Sequence, residues 1–108
     1  MKTAIFLGED GAIKDVAPRN EHDFGLEETQ QMLSAEYVES VRLATGHHMI
    51  FDEAGKRKGR PINLTATFLL HEAGASYLDY VAGDALIVAV DDQGNMLPYR
   101  EGVDHEGL

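Results

Sequence analysis

Cysteine is absent from this chain. That excludes disulfides, thiolate zinc sites and cysteine nucleophiles together, and it is compatible with a reducing compartment. Basic residues are scarce: nine Lys and Arg stand against nineteen Asp and Glu, for a formal net charge of −10. Such a surface repels nucleic acid and anionic membranes at long range, which argues against broad gripping of a phosphate backbone and against membrane binding. Long apolar runs are missing too. The longest, residues 85–90, is far short of a membrane span, and the apolar start at Met1 meets Gly8-Glu9-Asp10 too early for a secretory leader. These absences predict a cytoplasmic protein. Familiar catalytic signatures are lacking as well. There is no Gly-x-Gly-x-x-Gly and no Gly-Lys-Ser/Thr, and Ser34, Ser40 and Ser76 have no Gly-x-Ser-x-Gly context. No repeat, heptad or low-complexity tract occurs.

What remains is an ordinary globular balance, 44% hydrophobic and 26% charged, in 108 residues. This length fits one domain. A chain of this size buries about two-thirds of its unfolded surface, enough for a core without covalent staples. The patterning predicts a hairpin from residues 2–7 and 12–16 around Glu9-Asp10-Gly11, then a loop over 17–22. A short helix is expected over 25–33, capped by Asp23, with Glu27 and Glu28 near its positive end and Leu26, Met32 and Leu33 as its apolar face. Residues 37–43 and 47–51 read as paired strands around Thr45-Gly46. Asn63 is placed to cap a second helix over 64–71. Residues 77–81 read as a short strand, 85–90 as a strand buried on both faces, and 96–99 as a last edge strand. This order lacks regular βαβ alternation. It predicts an α+β fold, a small mostly antiparallel sheet with one or two short helices. The single domain is expected over 1–100, with a frayed tail over 101–108.

Several residue groups invite chemistry and fall short of it. His47 and His48 are adjacent, so in a strand they face opposite sides and do not share a metal. His71, Glu72 and Asp79 would need distant partners, and no His-x-x-x-His spacing exists. No pattern among the carboxylates specifies a glycosidase pair. Phe6, Phe24, Phe51, Phe68, Tyr37, Tyr77, Tyr80 and Tyr99 read as core. Only Phe51 has the basic neighbours that a base-stacking platform needs.

The strongest local signal is Gly55-Lys56-Arg57-Lys58-Gly59-Arg60, which holds four of the nine basic groups. Pro61 stiffens its exit, and Asn63 opens a helix N-terminus whose amides, with Lys56, Lys58 and Arg60, can attract an anion. The bland reading is a solvated turn whose charges pair with Asp52 and Glu53.

The segment from Met49 through Asn63, followed by Ala66-Thr67, resembles a family of small phage and bacterial domains of unknown function. In that family a strand runs into an (Asn/Asp)-Glu-x-Gly-Lys-x-Lys-Gly-x-Pro-x-Asn loop and then an Ala-Thr pair. A later Gly-Asp before a hydrophobic strand is matched by Gly83-Asp84. The chain departs from the pattern at Ser34-Ala35, where the family has Gly-Gly, and at Arg60, where an apolar residue is usual. The resemblance implies a phage or mobile-element origin and a compact α+β domain, with no activity attached.

Composition, the loop and the resemblance together predict a non-enzymatic binding module, without a cofactor or bound metal. It would engage a small anionic, nucleotide-like ligand or, as the resemblance implies, a host protein, through Gly55, Lys56, Lys58, Gly59, Arg60 and Asn63. The alternative is an acidic mimic of DNA that blocks a nucleic-acid-binding protein. Homodimerisation through an open strand edge is a further expectation.

Overall fold

The computed structural model describes residues 1–101. Its strands are β1 (Lys2–Leu7), β2 (Ile13–Val16), β3 (Val38–Arg42), β4 (His48–Asp52), β5 (Ala85–Val90), β6 (Met96–Leu97) and β7 (Arg100–Glu101). Its helices are α1 (Leu26–Leu33) and α2 (Leu64–Glu72). All seven strands join one sheet in which every pairing is antiparallel, with the path β2-β1-β5-β4-β3. β6 pairs with the end of β5, and β7 with the start of β1. The expected α+β class is the observed one.

β5 takes the centre because its six apolar residues can serve both faces of the sheet at once. Ala85 and Ile87 point into a core with Leu7, Met49, Phe51 and the α2 residues Ala66 and Leu70. Leu86 and Val88 point the opposite way, into a core with Ala4, Phe24, Ile50 and the α1 residue Leu33. The two helices therefore cover opposite faces. Leu86 is fully buried, a contribution of about 1.5–3 kcal/mol from transfer alone.

Local details correct several expectations. α1 is not capped by Asp23. Gly25 occupies the cap position without a side-chain bond, while Asp23 accepts from Asn20 instead. Leu26, expected on the apolar face, is exposed, and the small Thr29 takes the buried place because its hydroxyl donates to the Gly25 carbonyl. The helix stops at Ser34, in the left-handed conformation, where a stop was expected. Residues 77–81 form no strand. Several of their polar backbone groups bond to side chains: the Val81 amide donates to Thr67 Oγ1, the Tyr80 amide to Asp79 Oδ1, and the Asp79 carbonyl pairs with the His71 ring. Glu101, expected to begin a frayed tail, pairs with Lys2. The rest of that expected tail lies outside the described residues. No helix among the described residues is long and apolar enough to cross a membrane.

Candidate functional site

The basic loop leaves β4 and climbs toward α2 along residues 81–83. Its amides close turns on its own carbonyls: Lys58 N donates to Ala54 O, Gly59 N to Lys56 O and Arg60 N to Gly55 O. Gly83 N donates to Pro61 O and Asn63 N to Val81 O, which stitches the loop to the strand-like run before β5. Gly55 is required by close packing, since a Cβ there would lie 2.2 Å from the Ala82 carbonyl oxygen. Gly83 is required for a different reason. Its φ is +96°, and a Cβ would meet the Arg60 guanidinium at 2.9 Å.

The loop's cations turn back onto the body. Lys58 Nζ donates to Asp52 Oδ2 at 2.6 Å and to the Ser34 carbonyl at 3.2 Å. Arg60 donates to the Leu33 carbonyl at 2.7 Å and lies 3.3 Å from both Asp84 and Glu9. It thereby ties the end of α1 to the β1–β2 turn and to the entry of β5. Lys56 Nζ meets Asp79 at 2.5 Å and sits 4.5 Å from the centre of the Tyr80 ring, a carboxylate and a π face sharing one ammonium. Asn63 is 1% exposed. Its Oδ1 accepts from Ala66 N as the α2 cap, and its Nδ2 donates to the Leu7 and Gly83 carbonyls. The side chain read as opening an amide site thus occupies that helix end itself. Among the described residues, Arg57 is the one loop cation without an ion pair; Lys56, Lys58 and Arg60 each have one.

The electrostatics follow from these contacts. The Asp52 side chain is fully buried. Burial, its strongest single influence, pushes its pKa up, but the Lys58 hydrogen bond, the Ala54 amide and the charges of Lys58 and Arg60 together hold the carboxyl below its ordinary value. The Lys56 hydrogen bond lowers Asp79, and the same bond raises Lys56.

Two features escaped the sequence reading. The first is a cleft of about 120 Å³ between β3, β4 and residues 79–82. Its walls carry the carboxylates of Glu39, Glu53 and Asp79, and its floor is apolar, with Val41, Phe51 and Leu70. Only folding brings Glu39 within reach of Asp79. The second is the outer side of α2. Leu64 is 78% exposed and Phe68 61%, one helical turn apart, and Tyr77 and Leu78 stand in solvent beyond the helix end. Phe68, Tyr77 and Tyr37 therefore leave the expected core, whereas Phe24 and Phe51 keep their places in it. The available signal was the composition of α2, Leu-Thr-Ala-Thr-Phe-Leu-Leu-His-Glu, which has no polar face to give to water.

Among the described residues the histidines do not gather at one site. His47 stacks on Tyr99 at 4.1 Å and bonds to Thr45, and His71 bonds to the Asp79 backbone. No group of three or more metal-ligating side chains occurs among the described residues.

A family described as a domain of unknown function (DUF3846) matches residues 2–103. The chain belongs to that family. The match spans every strand and both helices of the described residues. No curated protein and no solved structure matches the chain.

Proposed function

We propose that this DUF3846 domain is a non-enzymatic binding module that engages a host protein in the cytoplasm through the outer face of α2. An accessory role in a phage or mobile element is what the loop resemblance adds. The observation that carries the reading is the exposure of Leu64 and Phe68 on a helix whose inner face is already filled by Ala66 and Leu70. A helix with large apolar groups on its outer as well as its inner face is ordinarily covered on both, and exposed apolar groups beyond scattered single residues mark interaction sites. A photo-crosslinking residue placed at 64 or 68 in host cytoplasm should give a discrete protein adduct, and one placed at Glu27 should not. The same adducts from all three positions, or none from any, would remove the reading.

The loop as a seat for a small anion is the weaker alternative. An anion would have to compete with Asp52, Asp79, Asp84 and Glu9 for Lys56, Lys58 and Arg60, which leaves Arg57 as its readiest contact. Stabilisation by any member of a nucleotide panel in a thermal-shift assay, lost in a Lys56/Lys58 double variant, would restore it. DNA mimicry loses support from the same pairs, because those four carboxylates face the loop instead of forming an outward row.

A further inference from the structure

We propose, resting on the docking reading above, that the partner presents a basic amphipathic segment. Its apolar side chains would lie on Leu64, Phe68 and Leu78, and one Lys or Arg would enter the acidic cleft beside them. Residues 76–82 link the two features. They run along α2, fixed by the Val81 amide on Thr67, the His71 contact to Asp79 and the bridge between Ile62 and Ala82. Leu78 is exposed, and the two residues that follow it in the chain, Asp79 and Tyr80, line the cleft. An occupant crossing it meets apolar groups first and carboxylates second.

The cleft's chemistry is shown by the chain's own Lys56, whose ammonium already rests against Asp79 and the Tyr80 ring. Glu39 and Glu53 share that cleft; Glu39 acts on Lys56 through its charge without pairing with it, so a second cation still has two carboxylates to meet. Charge also selects among occupants. A second copy of a chain with net charge −10 would bring like charge against Glu39, Glu53 and Glu72, and an anionic lipid surface would do the same. A basic segment is attracted from a distance and held at contact. Apolar anchors on a helix face with flanking charge are a recurring mode of peptide recognition.

The test uses the full chain and a fluorescent synthetic peptide with Leu at helical spacing and Lys and Arg between. Two twins accompany it, one with every Lys and Arg changed to Glu, the other with every Leu changed to Ser. By fluorescence anisotropy the basic peptide should bind, and each twin should bind at least about 10-fold more weakly. Phe68→Ser should cost at least about 10-fold. Glu39→Gln with Glu53→Gln should cost about 5-fold and flatten the salt dependence. Glu27→Gln with Glu36→Gln, elsewhere on the surface, should change nothing. Equal binding of the charge-reversed twin, or an equal loss from the Glu27/Glu36 variant, would overturn the inference. So would failure of the basic peptide to bind while crosslinks at 64 and 68 persist; the docking face would then stand and its basic occupant fall. Phe68-dependent self-association in sedimentation would assign the face to a second copy and overturn the inference as well.

Discussion

The basic loop and the outer face of α2 adjoin one another and behave in opposite ways. The loop is rich in charge and spends it internally, with Lys56, Lys58 and Arg60 each on a carboxylate and Asn63 on three backbone groups. The helix is rich in apolar groups and leaves two of its largest in water. In the loop, residue types that suggest a ligand site are engaged with the body of the chain, and on α2 residue types that suggest a core lie on the surface. A polar group's chemical availability depends on what already satisfies it, and an apolar group's burial depends on what is left to cover it.

Substitutions should separate the two regions by size of effect. Asn63→Ala is expected to be the most damaging. It removes the α2 cap, about 1 kcal/mol, and strands the Leu7 and Gly83 carbonyls, about 1 kcal/mol or more each, so urea unfolding should show a loss of about 3 kcal/mol. Lys58→Met leaves the buried Asp52 carboxylate with Arg60 3.8 Å away. Breaking a buried pair costs about 3–5 kcal/mol, and the half exposure of Lys58 reduces that to about 2 kcal/mol. Acid should act through the same carboxylates. The Asp52 and Asp79 pKa values are lowered by folding, so their contribution is present above the unfolded value near 3.9 and is lost as pH falls through the lower folded values. A pH titration of unfolding free energy should therefore drop below about pH 4, less steeply in Asp79→Asn. Phe68→Ser should move stability by less than about 0.5 kcal/mol, as for other surface changes, while abolishing the crosslinks. A large loss of stability there would mean that the face is structural and would erase the contrast.

Much of the fold was legible because period and turn chemistry agreed. Residues 85–90, an unbroken apolar run between turns, suggested a two-sided strand, Asn63 stood where a cap belongs, and Glu9-Asp10-Gly11 marked the first hairpin. Where reading failed, a side chain had replaced the backbone as partner. Thr67, His71 and Asp79 satisfy residues 79–81 and remove any need for a strand there. The loop's charge was legible and its pairing was not, because Glu9, Asp79 and Asp84 lie far from it in the chain and reach it only through the sheet. The cleft was hidden for the same reason: Glu39, Glu53 and Asp79 come from three separate segments. Phe68 was misplaced because an aromatic at helical spacing fits either side of a helix with no polar face.

The position of β5 also constrains how the chain is made. The β1–β2 and β3–β4 hairpins are each local, but they meet only through residues 85–88, with Ile5 opposite Ile87 on one side and Ile50 opposite Leu86 on the other. Until that late stretch leaves the ribosome, each hairpin carries an open apolar edge with nothing to close it. Such non-local pairing slows folding and prolongs exposure to aggregation and chaperones. Synthesis halted at Gly83 should release a chain lacking cooperative unfolding, even though four strands and both helices are already encoded in it.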